Sequence, residues 1–176
     1  VCLVVGDQLY FYISGRAGKS FPGCQIPDGG GATGLAVLRR DGFASMDAGA
    51  EGGVLTTRPV RFAGKHLFVN LAAAQGELRV EVLNEQGTVI APFAAAECVP
   101  VQADRTLFPV TWNGAKDLAA VRGTPVRFRF HLRHGALYAF WVSPEASGAS
   151  HGYVAGGGPG FTGPTDTVGH AGLATR

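Results

Sequence analysis

The sequence predicts an all-β protein whose main body is an antiparallel, jelly-roll-like β-sandwich, preceded by strands of a partial β-propeller blade. Three observations point there. Val126, Phe128, Phe130 and Leu132 alternate with Arg127, Arg129, His131 and Arg133, the period-2 signature of a strand with one buried face. From about residue 53 onward, short β-prone runs recur at roughly ten-residue spacing, the rhythm of a sandwich. Finally, 27 Gly and 10 Pro supply the turns that many short strands need.

Residues 1–48 form the first unit. Runs at 2–5 and 9–14 flank Gly6-Asp7-Gln8, a tight hairpin turn. A loop rich in Gly and Pro, with Gly29-Gly30-Gly31, leads to a third run at 33–38. Arg39-Arg40-Asp41-Gly42 then introduces a short fourth one at 43–46. Four short strands in this length match one propeller blade. A lone blade cannot bury both faces. Phe11, Tyr12, Leu35 and Val37 therefore need cover from the sandwich, from missing propeller blades or from another chain.

Asp47 to Gly53, DAGAEGG, reads as the linker into the sandwich, assigned to residues 49–146. Runs at 54–58, 60–62, 66–71, 77–83, 88–90, 98–101 and 106–112 follow, with Asn84-Glu85-Gln86-Gly87 as a turn and 117–121 as one helical turn. Residues 125–142 close the domain as an antiparallel hairpin turning at His134-Gly135. The alternation buries Leu78, Val80, Val82, Val126, Phe128, Phe130 and Leu132, and exposes Arg79, Glu81, Arg127 and Arg129. In the last run Leu137, Ala139 and Trp141 point one way, and Tyr138, Phe140 and Val142 the other. Residues 147–176 are a Gly-rich tail lying over the domain surface.

Composition narrows the function. Hydrophobic residues are 46% and charged residues 16%, as in a globular chain. A net charge of +2 with scattered arginines does not fit a nucleic-acid partner, and no run of 18 apolar residues offers a membrane span. VCLVV reads as a strand rather than a signal peptide, and the chain as a piece of a longer protein. Cys2, Cys24 and Cys98 lack metal-ligand spacing; one disulfide with a free thiol and three thiols both remain open. The five histidines form no metal motif, because His131 falls mid-strand and His134 in a turn. There is no GxSxG elbow, and neither Gly29-Gly30-Gly31 nor Gly156-Gly157-Gly158 continues as a phosphate loop. Neither metal nor cofactor is expected.

Glycoside hydrolysis needs two carboxylates across a sugar ring. Asp7 and Asp28 sit in turns, where Asp is favoured by its own backbone hydrogen bonds. Asp41, in Arg-Arg-Asp-Gly, and Glu97, in Glu-Cys, resemble short motifs of invertase-like enzymes. Gly42 stands where those have proline, however, and Glu97 falls within the sandwich, so both are read as structural. No catalytic residue is assigned. Flat aromatic rings bind sugars, which makes Trp112, Tyr138 and Trp141 the candidate carbohydrate-binding residues. The ladder of Arg127, Arg129 and His131 is read as a solvated strand face rather than an anion site.

The order LYFYISGRAG, GLAVLRRDGFASMDAG, GGVLTTRPVRFAGKHLFVN, GELRVEVLNEQGTVI and PVRFRFHLRHGALYAFWV resembles the C-terminal end of bacterial glycoside hydrolase-like proteins. These join a five-bladed propeller, of the kind in glycoside hydrolase families 32, 43 and 68, to a C-terminal β-sandwich. The resemblance implies that residues 1–48 are the last blade and that the catalytic acids lie in blades absent here. It further implies a fragment inactive alone, whose sandwich supports the propeller and assists glycan binding, in an extracellular or periplasmic, carbohydrate-active parent. A stand-alone lectin-like or adhesive sandwich is the alternative.

Overall fold

Ten antiparallel strands arise where the sequence alternates, and the computed structural model describes them over residues 2–16 and 31–173. Strands β1 (Cys2–Val5), β2 (Gln8–Arg16) and β3 (Gly31–Arg39) form a meander in the order β1-β2-β3. Gly6 and Asp7 alone join the first two, and Gly6 adopts φ +58°, a value that favours glycine in a two-residue hairpin loop. The expected loop between β2 and β3, with Cys24 and Asp28, lies outside the described residues.

The sandwich consists of β4 (Met46–Ala48), β5 (Gly53–Thr56), β6 (His66–Ala72), β7 (Glu77–Leu83), β8 (Asp104–Val110), β9 (Arg127–Arg133) and β10 (Gly135–Ser143). One sheet has the order β4-β10-β6-β8 and the other β5-β9-β7. Successive strands alternate between the two sheets throughout, an arrangement compatible with the sandwich expected from the sequence. Residues 89–101 run beside β7 as an irregular border. Ile90 N–H donates to Val82 O at 2.9 Å, and Leu78 and Val101 exchange backbone bonds at 2.9 Å. The runs expected at 60–62, 88–90 and 98–101 are thus isolated bridges, not strands.

The inner faces meet in one core. Leu78, Val80, Val82, Val126, Phe128, Phe130 and Leu132 are all buried in it, opposite Leu67, Val69, Leu71 and Leu137. Phe128 packs its ring on Phe62, Phe130 and Phe140 at centroid distances of 5.7, 6.3 and 5.7 Å. Arg79, Arg127 and Arg129 point outward and are half-buried, but Glu81 is buried, against expectation. It lies on the outer face, where neighbouring long side chains cover it.

Four local expectations are corrected. The fourth run does not complete a blade: Met46–Ala48 pairs instead with β10, whose edge offers a regular partner. DAGAEGG is not a linker between domains. It is a turn, closed by Gly52 N–H to Gly49 O at 3.2 Å, that carries the chain from an edge strand of one sheet to an edge strand of the other. Residues 125–142 are not a hairpin, because only His134 separates β9 from β10 and two-residue loops are the shortest common hairpin connections. His134 takes φ +48° and the chain crosses between sheets there; a Cβ on Gly135 would lie 2.7 Å from Ala73 Cβ, so the corner requires glycine. Finally, a bulge between Leu137 and Ala139 breaks the alternation of β10. Leu137, Phe140 and Val142 pack on the core, while Trp141 stacks outside on Phe68.

The C-terminal segment is built into the fold. Ser143 Oγ donates to Ala149 O at 2.7 Å and Trp141 Nε1 to Gly148 O at 3.0 Å, which seals Phe68 and Leu107 on the outer sandwich face. Further on, Val4 N–H donates to Gly157 O at 2.8 Å and Gly156 N–H to Cys2 O at 3.0 Å, bordering β1. Val154 and Phe161 there close a small second core with Val4, Leu9, Cys2, Phe11 and Leu38. No helix among the described residues is long and apolar enough to cross a membrane.

Candidate functional site

The turn after β3 couples the meander to the sandwich through paired polar groups. Arg39 donates from Nε to Asn70 Oδ1 at 2.7 Å, from Nη2 to Leu71 O at 2.9 Å and from Nη1 to Asp104 at 2.5 Å. Its guanidinium lies 4.9 Å from the Tyr138 ring centroid. Asn70 Nδ2 donates to Arg40 O at 2.6 Å, and Thr106 Oγ1 hydrogen-bonds Asp7 across the same junction. Arg40 Nη2 reaches the Asp166 carboxylate at 3.1 Å, tying in the C-terminal segment. Burial pushes the Asp166 carboxyl upward. Donation from the Gly169 and Val168 N–H groups, the Arg40 charge and Ser150 outweigh this and hold it below the ordinary carboxylate range.

This anchoring leaves one face of the meander open. Strand register places Leu3, Tyr10 and Val37 opposite one another, and Tyr12 opposite Leu35, all on a single face. Tyr12 is 58% exposed, and Leu35 and Val37 are each 48% exposed. The opposite face carries Val4, Leu9 and Leu38 under the C-terminal segment. Phe11 sits there too, on the face opposite Tyr12, Leu35 and Val37, and is partly covered. An apolar run such as Leu9-Tyr10-Phe11-Tyr12-Ile13 marks a strand needing cover on both sides, and that signal was legible in the sequence.

The three aromatic candidates do not form a sugar platform. Trp112 is buried in the core, where it donates to Val80 O at 2.8 Å and meets Phe93 edge-on. Trp141 lies between Phe68 and the C-terminal segment, and Tyr138 lies beneath Arg39. Core packing encloses Trp112, and Tyr138 and Trp141 are half-buried with one ring face each engaged.

On the outer face of β5-β9-β7 the arginine ladder is already paired. Glu81 accepts from Arg129 Nη1 at 2.9 Å and contacts His131 Nε2 at 3.1 Å; Arg79 Nε donates to Glu77 at 2.7 Å; Arg127 donates to the Glu85 and Thr57 carbonyls at 3.2 Å. Burial raises the Glu81 carboxyl, but His131 and Arg129 together bring it below its usual range. These mutual contacts fit a structural strand face. Asp41 and Glu97 are both exposed, one in the turn after β3 and the other in the segment between β7 and β8. Among the described residues no group of three or more His, Cys, Asp or Glu is placed to hold a metal ion. Cys2 and Cys98 are free thiols; Cys24 lies outside the described residues. Compared with protein-family models, curated proteins and solved structures, the chain finds no match.

Proposed function

We propose that this chain is the non-catalytic C-terminal part of a carbohydrate-active, glycoside hydrolase-like protein. In this reading the sandwich supports a β-propeller, and the β1-β2-β3 meander is the blade strand set that docks on it. The observation that carries the proposal is the open face of Tyr12, Leu35 and Val37 on a sheet whose other face is covered at its β1 side by the C-terminal segment while Ile13 stays 55% exposed, and whose end is fixed by ion pairs to the sandwich at Arg39 and to the C-terminal segment at Arg40. Burying each such side chain is worth about 1.5–3 kcal/mol. A neighbouring blade supplies that cover, and the rigid anchoring at Arg39 and Arg40 transmits its position to the sandwich. The parent acts on carbohydrate outside the cytoplasm.

Two measurements test this. The polypeptide should show no turnover of fructosides, arabinosides, xylosides or sialosides; clear turnover abolished by Asp41→Asn or Glu97→Gln would overturn the non-catalytic assignment. The gene sequence immediately upstream of Val1 should encode repeated short-strand blades carrying acidic residues, and an unrelated upstream domain would sink the propeller assignment. The alternative, a lectin-like or adhesive module without catalysis, draws on the exposed rings of Phe43 and Tyr153. It requires the Tyr12 face to stay in water in the whole protein.

A further inference from the structure

A cavity of about 320 Å³ lies where the turn after β3 meets the C-terminal segment. Its floor is apolar, made by Cys2, Val4, Leu9 and Val154, and Arg40, Asp41, Ser150 and Gly152 also line it. Phe43 and Tyr153 stand at its wall, 72% and 77% exposed, although large aromatic side chains ordinarily find cover. Phe43 makes an edge-on contact with Phe11 at 6.1 Å.

Arg40 is the polar feature of this wall. It is only 7% exposed, and its Nη2 is engaged by Asp166 while its Nη1 is buried with no hydrogen-bond partner among the described residues. The Phe161 ring, 5.4 Å from its Cζ, offsets part of that cost. A buried donor left unpaired is expensive, but Nη1 is closed to solvent and so is not reached from the cavity. Charge decides what kind of ligand the cavity accepts. One guanidinium faces two carboxylates here: Asp166 at 3.1 Å and Asp41, whose Oδ2 lies 3.8 Å from Arg40 Nε. The surplus is negative, so an anion is disfavoured. Asp41, exposed at the wall, is an acceptor for a ligand hydroxyl.

From these features we infer that the cavity is a binding site for a neutral saccharide ring, with Phe43 and Tyr153 covering its C–H faces and Asp41 accepting from its hydroxyls. A pocket of this size suits one or two sugar units, being at the small end of ligand sites. The inference rests on the cavity alone and stands whether or not the meander docks on a propeller.

Calorimetric and NMR titration of the intact chain with glucose, galactose, fructose and sucrose, and with glucuronate as the charged control, tests it. At least one neutral sugar should bind saturably at millimolar concentration, and glucuronate several-fold more weakly. Phe43→Ala and Tyr153→Ala, both at exposed positions, should each weaken that binding about fivefold or more while leaving the thermal midpoint in place. Asp41→Asn should weaken it as well. Leu35→Lys with Val37→Lys, on the open face of the meander, should not change it, which separates this site from the docking surface. Absence of saturable binding by every neutral sugar, tighter binding of glucuronate, or indifference to both aromatic substitutions would overturn the inference.

Discussion

Replacing Asp166 by Ala tests whether the C-terminal segment is held by a buried ion pair. Asp166 is 1% exposed and Arg40 7%. The carboxylate accepts from Arg40 Nη2 at 3.1 Å, from the Val168 and Gly169 N–H groups at 3.1 and 2.9 Å, and from Ser150 at 3.4 Å. Its removal strands a guanidinium in the interior, which typically costs about 3–5 kcal/mol. The Val168 and Gly169 donors lose their acceptor too, but release of the segment lets water reach them and limits the added cost. Arg40→Met is milder, about 1–3 kcal/mol, because Asp166 keeps its backbone donors. Urea denaturation read by tryptophan fluorescence suits the question: Trp112 reports the sandwich core, and Trp141, bonded to Gly148 O, reports the segment. Chymotrypsin should cut Asp166→Ala at Tyr153 or Phe161 well before the sandwich unfolds. A loss below about 1 kcal/mol together with unchanged cleavage would refute the argument, since a broken buried pair cannot be that mild.

Phe128→Ala should lower unfolding free energy by about 3–5 kcal/mol in the same urea assay, because the ring is fully buried against Phe62, Phe130 and Phe140. Glu81 and Asp166 both have folded pKa values below their unfolded ones, so the unfolded state takes up more protons in acid. Their contribution should be complete above the unfolded carboxylate pKa and vanish as pH falls through the folded values; Glu81→Gln should flatten the acid limb of a stability–pH curve, and an unchanged limb would contradict the assignment. Burial pushes the Cys98 thiol above its ordinary pKa, so peptide mapping after brief iodoacetamide treatment at neutral pH should find Cys98 unmodified in the folded chain. Labelling of Cys98 as fast as in urea would show that the core around it opens readily.

What the sequence disclosed and what it concealed have separate physical origins. Period-2 alternation in β7 and β9 identified the core-facing residues one by one, although Leu83 and Glu81, on the other side of β7, are buried as well. Pairing partners were not legible in the same way. His134-Gly135 looks like a hairpin turn, yet the same two residues make a crossing when the two flanking apolar faces must meet across a sandwich. The bulge in β10 was hidden for a related reason. One inserted residue re-aims Trp141 without altering local composition. Glu81 was misjudged because its burial comes from Arg129 and His131 on the adjacent strand, a property of register rather than of its own neighbours in sequence. Trp112, Tyr138 and Trp141 have the residue type of a sugar-binding face, but type does not tell an aromatic ring that packs from one that binds.

The candidate cavity shows why the informative aromatics escaped notice. Phe43 and Tyr153 are 110 residues apart and neither lies in a patterned strand; only the return of the C-terminal segment along β1 brings both to one wall. That return depends on Gly158, where a Cβ would fall 1.7 Å from Val4 O, and on Asp166, which grips Arg40. The Gly-rich composition that reads as a featureless tail is what permits this close backbone approach. The ion pair Arg40–Asp166 therefore links the two properties argued for this chain. It anchors the meander whose open face is proposed to dock, and it sets the negative balance that selects a neutral ligand. Asp166→Ala should accordingly weaken saccharide binding as well as stability, whereas Leu35→Lys with Val37→Lys should affect neither. Should sugar affinity survive Asp166→Ala while chymotrypsin removes the segment, the cavity would not need Tyr153, and the site would have to be redrawn around the turn after β3 alone.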